Sequence, residues 1–249
     1  MPILRELAPT ILGVAVLALL AVGVLALYRV PHRWAPALAI LRGAAQLAVI
    51  SVVLAGVITN PWWVALALLI MFSVAAGTAT HRIGWTRDHL LMMAVAMATG
   101  VVVSFSVVFT TGAIDFNARY ALAIGGIVIG NSMSIATLAG RRFTEAVRDH
   151  WDEVEGWMAL GATPRQSTLE QARTAVYSAL IPSVDQTKTT GLVTLPGAFV
   201  GAIFGGVSPL EAGRFQVVVL AAIMAAGAIT AVIVSAWLAP VRTRPAALR

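Results

Sequence analysis

The sequence predicts an all-α, polytopic membrane protein with about seven transmembrane helices, an external N-terminus and an internal C-terminus. The first observation behind this fold class is composition. Of 249 residues, 59% are hydrophobic and 11% are charged, and the mean hydropathy is +0.88. A soluble domain of this size does not hide so much apolar surface, so the bilayer must solvate much of the chain. The other two observations are the lengths of the apolar runs and the uneven distribution of arginine.

Six apolar runs are long enough to cross a hydrocarbon core about 30 Å thick, which takes about 20 helical residues. They cover residues 9–27, 36–58, 62–80, 90–111, 120–138 and 215–238. A seventh run, 191–207, is shorter and is broken by Pro196. Turn residues and charges separate the runs, and Trp62, Trp85, Tyr120 and Trp237 fall near their ends, as expected for an interfacial aromatic belt.

Basic residues set the predicted orientation. With the N-terminus outside, the outer loops hold only Arg5, Arg119 and Arg214. The inner loops then hold Arg29, Arg33, Arg82, Arg87, Arg141, Arg142, Arg148, Arg165, Arg173, Lys188, Arg242, Arg244 and Arg249. Cytoplasmic loops collect arginine and lysine, so the formal charge of +6 indicates a multi-pass protein of the inner (plasma) membrane rather than a nucleic-acid partner.

The main interruption of the apolar pattern is residues 141–190. Its first part, 141–157, mixes both charge signs, and Phe143, Val147, Trp151 and Val154 recur on one helical stripe. This pattern predicts either an amphipathic cytoplasmic helix or an extension of the fifth span. Further on, Thr163 is predicted to be an N-cap, with Pro164 in the first position of the next helix.

The stretch 175–207 would be about 50 Å long as one helix, too long for a single crossing. Pro182 and Pro196 are predicted to divide it around the polar run Asp185-Gln186-Thr187-Lys188-Thr189-Thr190. A polar, proline-interrupted element is typical of a transport site. A cytoplasmic loop with a surface ion pair between Asp185 and Lys188 is the alternative.

Two further groups of intramembrane residues are candidates. Asn131 lies within the fifth span, where its amide needs partners, so it is a candidate for the same pathway. Small residues are spaced for close helix contacts at Gly126, Gly130, Gly197, Gly201 and Gly205. Such ridges serve internal helix packing or a homodimer contact. Arg42 and Gln46 share a face of the second span, where Arg42 either snorkels to the interface or lines a cavity.

The residues predict no enzyme. A glycine-rich phosphate loop is absent, since Thr187-Lys188-Thr189 lacks the glycines, and neither a zinc-binding HExxH pair nor a nucleophile constellation occurs. The absence of cysteine excludes disulfides and thiolate metal sites. Met92, Met93 and Met97 are predicted to be core residues rather than metal ligands, and a metal site stays unknown.

Glu155, Gly156 and the run Leu160-Gly161-Ala162-Thr163-Pro164 resemble the cytoplasmic loop of ABC-transporter permeases, although Gly156 and Trp157 replace two alanines of that pattern. The resemblance implies that this loop, within a coupling region 141–173 of a single permease domain 1–249, docks on a separate ATPase. ATP and Mg would bind to that partner, and this chain would bind no cofactor.

A second resemblance covers nearly the whole chain. It is carried by Gly130-Asn-Ser-Met133, Leu160-Gly-Ala-Thr163, Ile181-Pro182, Asp185-Gln-Thr-Lys-Thr-Thr-Gly-Leu-Val-Thr-Leu-Pro-Gly197 and Gly205-Gly-Val-Ser-Pro209. These motifs are similar to those of the Fet-type iron-export permeases, a family that includes plant aluminium-tolerance permeases.

The second resemblance implies a half-transporter for metal export and metal resistance in the lipid bilayer, working as a homodimer or as one copy with a partner. The polar, proline-interrupted element and the mid-span amide predict a substrate pathway that includes Asn131, Asp185, Gln186, Lys188, Thr189 and Pro196. Three alternatives stay open: an ABC permease for another solute such as a nucleotide sugar, a secondary transporter using Asp185 or Arg42, and a membrane protein that only recruits a soluble partner.

Overall fold

A computed structural model describes the backbone of residues 2–57 and 60–246 and the side chains of residues 8–51 and 60–246. Ile58, Thr59 and Arg249 lie outside this part, as does the side chain of Arg5. Over the described ranges the regular secondary structure is helical, and one isolated β-bridge joins Thr190 and Thr194. The helices are α1 Pro2–Leu27, α2 Ala35–Val57, α3 Pro61–Ile83, α4 Arg87–Thr110, α5 Ala118–Asp149, α6 Trp151–Ala159, α7 Pro164–Ser167, α8 Leu169–Thr189, α9 Gly197–Phe204 and α10 Pro209–Leu238.

The chain forms two compact units, Met1–Ile58 and Thr59–Arg249. The first contains α1 and α2, joined by a turn in which Arg29 and His32 have positive φ angles of 56° and 61°. Leucine and valine side chains of α1 are exposed along most of its length, as in Leu12 at 67% and Leu20 at 63%. A helix so apolar and so little covered is suited to lipid on most of its surface.

Side-chain caps define where several helices of the second unit begin. Asn60, Thr86, Asn117 and Ser208 each precede a helix, and each side chain accepts a hydrogen bond from a backbone N–H of the first turn, at 3.0, 3.0, 2.9 and 3.3 Å. These bonds satisfy N–H groups that have no partner within the helix. The predicted turns before the third, fourth and fifth spans are therefore confirmed as helix starts.

In the second unit, α5 and α10 lie at the centre. Both contact α4 and α8, and α3 covers α5 and α4. The core is made of small residues and methionines, among them Ala79, Ala136 and Ala139, all fully buried. Met92, Met93 and Met97 are also fully buried, which confirms the prediction that they are core residues.

The closest helix contacts occur at glycines that the sequence did not single out. A methyl group on Gly100 of α4 would lie 2.5 Å from the Ala226 carbonyl oxygen of α10, and one on Gly227 would collide with Ile135. The Thr230 hydroxyl donates to the Ala96 carbonyl oxygen at 3.3 Å and links the same two helices as Gly100. Small residues let α4, α5 and α10 approach backbone to backbone.

Of the glycines predicted to make close contacts, only Gly126 lies against another helix of the described chain. A methyl group on Gly126 would lie 3.1 Å from the Met71 side chain. Nothing lies within 4 Å of that position on Gly130, Gly197 or Gly201, and Gly205 meets only backbone of its own segment. For these four, helix packing within the described chain is not seen, and contact with another copy stays a prediction.

Five described helices are long and apolar enough to cross a membrane: Ala8–Leu27 within α1, then α3, α4, α5 and α10. The described side chains of α2 add a shorter apolar helix, Ala35–Ser51. The predicted crossing at 191–207 is wrong as a helix, because α9 has 8 residues and is only about 12 Å long. The total of seven crossings and the orientation stay predictions.

The segment 141–190 belongs to three elements rather than to one loop. α5 continues to Asp149, so the predicted extension of the fifth span is confirmed, and α6 begins separately at Trp151. α8 then runs without a break from Leu169 to Thr189. Pro182 lies inside that helix, so the prediction that it divides the element is wrong.

α8 runs antiparallel to both α5 and α10. At its start, Thr168 donates to the Ala239 carbonyl oxygen at the end of α10, and eleven residues into the helix Leu180 lies beside Gly227 and Ile135. Asp185 is about 8 Å further along the helix axis. The residues 175–189 therefore lie alongside the apolar lengths of α5 and α10, and the alternative of a loop is wrong because this segment is helical.

Candidate functional site

A short helix pair lies between α5 and α8. α6 is followed by a turn at residues 160–163, in which Gly161 has a φ of 94°, and then by α7. The Thr163 hydroxyl accepts from the Gln166 N–H at 3.4 Å, and the Gln166 side chain accepts from the Thr163 N–H at 2.8 Å. This reciprocal capping box confirms Thr163 as the N-cap and Pro164 as the first helical residue, and it makes the joint stiff.

α6 is held by Val154 and by the partly buried Trp151 and Met158, and it exposes its other side chains. Val154 is fully buried, whereas Trp157 is 51% exposed and Leu160 is 82% exposed. Trp157 and Leu160 are three residues apart and so lie on the same side of the helix. Glu155 is exposed and, among the described residues, has neither a hydrogen bond nor an ion pair. Exposed apolar side chains on one side of a short helix and a free carboxylate on the other are suited to contact with a soluble partner.

The junction between α7 and α8 is tied to the end of α10 by Thr168, a residue that sequence reasoning missed. Its side chain is fully buried, and its hydroxyl lies 2.7 Å from the Ala239 carbonyl oxygen and 3.0 Å from that of Pro164. Thr168 therefore joins α7, the start of α8 and the end of α10 at one point. A threonine directly after a four-residue helix carries no sequence signal for this contact, because its acceptor is 71 residues away.

α8 carries a polar stripe along its exposed side. It is formed by Glu170, Arg173 and Tyr177 toward the start of the helix and by Asp185 and Lys188 toward its end, all exposed on one face. The exposed, apolar Ile181 separates the two groups. The Asp185 carboxylate lies 3.8 Å from the Lys188 ammonium, with side chains 63% and 71% exposed. Charged groups at the depth of apolar spans face water or protein rather than lipid. The stripe therefore requires an aqueous pathway or a second chain.

The other predicted pathway residues are distributed around this stripe. Gln186 is exposed next to Asp185, and Thr189 is half-buried with its hydroxyl donating to the Asp185 carbonyl oxygen at 3.0 Å. Asn131 of α5 is half-buried and donates to the Ile127 carbonyl oxygen of its own helix at 2.9 Å. Because Leu180 and Ile135 both border Gly227, Asn131 and Asp185 lie at similar depths. Pro196 lies beyond α8, at the start of α9.

The predicted location of Lys188, among the cations of the inner loops, has to be corrected. It lies about 30 Å along α8 from Thr168 and from the helix pair α6–α7. If that pair is inside the cell, Lys188 is in the outer half of the membrane. The other arginines of the inner loops still favour the predicted orientation.

No cage of metal ligands is formed within the described residues. Over residues 8–51 and 60–246, no group of three or more His, Asp or Glu side chains lies close enough together to hold an ion. A single copy therefore offers the Asp185 carboxylate on an open stripe rather than a closed metal site.

The fold and this site define a class: a multi-pass helical membrane protein with a short helix pair at the base of a polar intramembrane helix. The chain belongs to the UPF0014 family, described as an uncharacterised protein family, whose pattern matches residues 9–241.

Three relatives of this family are informative. The chain is 36% identical to "UPF0014 membrane protein STAR2" of Oryza sativa subsp. japonica over 78% of this chain and 69% of that protein. It is 34% identical to "Protein ALUMINUM SENSITIVE 3" of Arabidopsis thaliana over 77% and 71%. It is 30% identical to "Probable iron export permease protein FetB" of Escherichia coli (strain K12) over 68% and 64%. The resemblance to Fet-type permeases is confirmed. No solved structure matches the chain.

Proposed function

We propose that this chain is the permease subunit of an ABC-type transporter that exports a metal, with iron as the first candidate, across the inner (plasma) membrane. The Escherichia coli relative is named as a probable iron export permease, which supports the substrate class. The observation that carries the proposal is the placement of α6 and α7 at the base of α8. The exposed end of α6 contacts a separate ATPase subunit, which binds ATP and Mg.

The coupling works as a lever. Closure of the ATPases displaces α6 through Glu155, Trp157 and Leu160. The turn at Gly161 and the stiff capping box at Thr163 pass this displacement to α7. Thr168 then moves the base of α8 against the end of α10, because its hydroxyl bonds to the Ala239 carbonyl oxygen at 2.7 Å.

The pathway is the polar stripe of α8. Two copies of the chain face one another through the Asp185–Lys188 end of the stripe, so that these two residues line water instead of lipid. Asp185 from each copy then supplies carboxylate oxygens at one depth, which suits a hard cation or Fe ions. The homodimer also explains why a single copy has no ligand cage.

The test is ATP-dependent iron accumulation in inside-out vesicles that contain the chain and its genomically adjacent ATPase. Glu155→Ala is expected to abolish accumulation while ATP hydrolysis continues, since the Glu155 side chain has no bond within the described chain whose loss could unfold it. Glu153→Ala, which removes another exposed carboxylate from the same helix, is the control for loss of charge. Normal iron accumulation in Glu155→Ala, or an equal loss of accumulation in both variants, would refute the lever mechanism.

A second candidate is favoured by the ion pair on α8. An exposed Asp185–Lys188 pair at the depth of the spans is also a feature of ion-coupled secondary transporters. In that case accumulation follows a proton gradient without the ATPase. If the ATPase co-purifies but no iron moves, the ABC assignment stands, and other metals and nucleotide sugars are tested in the same vesicles.

A further inference from the structure

An apolar groove runs between α8 and α10 at the end of the unit that carries α6 and α7. One cavity of about 490 Å³ is lined on the α8 side by Leu169, Ala172, Val176 and Leu180. Its α10 side includes Val232, Ser235, Ala236 and Ala239, and Arg165, Arg173 and Tyr177 complete the lining. The volume lies within the range of roughly 300–1,000 Å³ that is typical of ligand sites.

A second cavity adjoins the first across α10. It measures about 540 Å³ and is lined by Arg165, Val232, Ile233, Ala236, Trp237 and Pro240. Arg165, Val232 and Ala236 border both cavities. The ridge formed by Val232 and Ala236 therefore separates two apolar slots that share one cation. Trp237 at the same end of α10 is the residue type that lies at headgroup depth.

The charges of the groove are concentrated at one end. Within the described residues no carboxylate lies within 4.0 Å of Arg165, whereas Arg173 is 4.0 Å from Glu170 in a pair whose side chains are 69% and 76% exposed. An exposed pair of this kind contributes little and leaves Arg173 available to a second anion. Arg165 is thus the main cation facing the groove, with Arg173 beside it.

One buried polar atom in the groove has no partner. Ser235 is 2% exposed, lines the first cavity, and its hydroxyl makes no hydrogen bond within the described chain. A serine in an apolar helix usually bonds a carbonyl of the preceding turn, so the unpaired Ser235 hydroxyl is free to donate to an acceptor in the groove. It lies about one turn of α10 from Ala239, on the apolar side of the cationic end.

We propose that this groove binds an anionic phospholipid of the leaflet on the α6–α7 side. The phosphate lies at Arg165 and Arg173, one acyl chain fills each cavity, and the Ser235 hydroxyl donates to a glycerol-ester oxygen. A single phosphate joined to two chains matches a single cation that borders two apolar slots. Basic residues at the end of a groove between membrane helices recognise anionic headgroups. The site does not depend on the transported solute or on the ATPase.

The test is native mass spectrometry of the delipidated full chain in detergent with added phosphatidylglycerol or phosphatidylcholine. Wild type is expected to bind the first about tenfold more tightly, and Arg165→Gln to lose most of that preference. Arg142→Gln, an exposed arginine paired with Glu145 at 3.2 Å, removes the same charge elsewhere and is the control. Arg165→Lys keeps the charge and should keep most of the preference. Equal retention by Arg165→Gln and Arg142→Gln overturns the proposal.

A second variant tests the apolar slots. Ala236 borders both slots, so the larger side chain of Ala236→Trp should occupy slot volume and reduce binding of both lipids. Leu91→Trp, at an exposed leucine of α4, should not reduce it. Thermal unfolding of each variant verifies the fold. Displacement of phosphatidylglycerol by millimolar glycerol phosphate would instead show a plain anion site. If Ala236→Trp dissociates a dimer but binds as much lipid as wild type, a second copy covers the groove and the lipid site is wrong.

Discussion

Replacing Thr168 by valine separates the helix junction from the end of α10 while keeping the shape of the side chain. The hydroxyl donates to the Ala239 carbonyl oxygen at 2.7 Å in a fully buried site. That carbonyl also accepts from the Val241 N–H at 2.7 Å, so it is not left without a partner. The expected loss is therefore the net worth of one hydrogen bond, about 0.5–1.5 kcal/mol in the free energy of unfolding.

The assay is unfolding by sodium dodecyl sulfate in mixed micelles, followed by tryptophan fluorescence. Thr137→Val is the matched control, because Thr137 is also buried but its hydroxyl donates at 2.9 Å to Met133 of its own helix. In vesicles with the proposed ATPase, Thr168→Val should also lower the amount of solute moved per ATP, whereas Thr137→Val should not. Indistinguishable unfolding and coupling in the two variants would refute the role of Thr168 as a link.

Three further predictions concern the turn, the helix crossing and the pathway. Gly161→Leu forces a side chain onto a φ of 94°, so it should lower the free energy of unfolding by about 1–2 kcal/mol and reduce coupling. Gly156→Ala, within α6, should be neutral or stabilising by up to about 1 kcal/mol. Unfolding and transport assays compare the two variants. The leucine side chain of Gly100→Leu collides with α10 and should destabilise the fold by about 1–3 kcal/mol. Gly130→Leu, at a position with open space, should cause no loss. Equal melting temperatures of the two variants would contradict the close contact at Gly100. Asp185→Asn should stop transport without changing the melting temperature, because the side chain is 63% exposed. Asp185→Glu keeps the carboxylate and should keep part of the transport activity. Full transport activity in Asp185→Asn would show that this residue is not part of the pathway.

Local sequence signals predicted most of the helices and their starts. Thr163 was predicted to be an N-cap, and its side chain accepts a backbone N–H of the helix that follows. The 3.6-residue stripe through Phe143 and Val147 predicted helix over 141–157, as a separate amphipathic helix or an extension of the fifth span. The structure divides this stretch between the end of α5 and α6. These features depend on neighbours in the chain, so the residues themselves carry the information.

Contacts between distant segments were beyond such reasoning. The small-residue patterns pointed to Gly130 and Gly201, yet the tight crossings use Gly100 and Gly227, because a glycine matters only where another backbone arrives. Pro182 was expected to break an element that is continuous, since packing of α8 against α5 and α10 compensates for the hydrogen bond that proline removes.

The sequence by itself determined a lipid-dissolved, all-helical protein with an exposed polar segment around Glu155, because apolar run length and charge placement follow from solvation alone. Only the tertiary structure decided that the run from Asp185 to Thr189 lies beside apolar spans rather than in a loop. The mean hydropathy of α8 is too low to predict a membrane helix. What keeps it there is the burial of Ala175 and Ala179 against α5 and α10, while its polar side stays exposed.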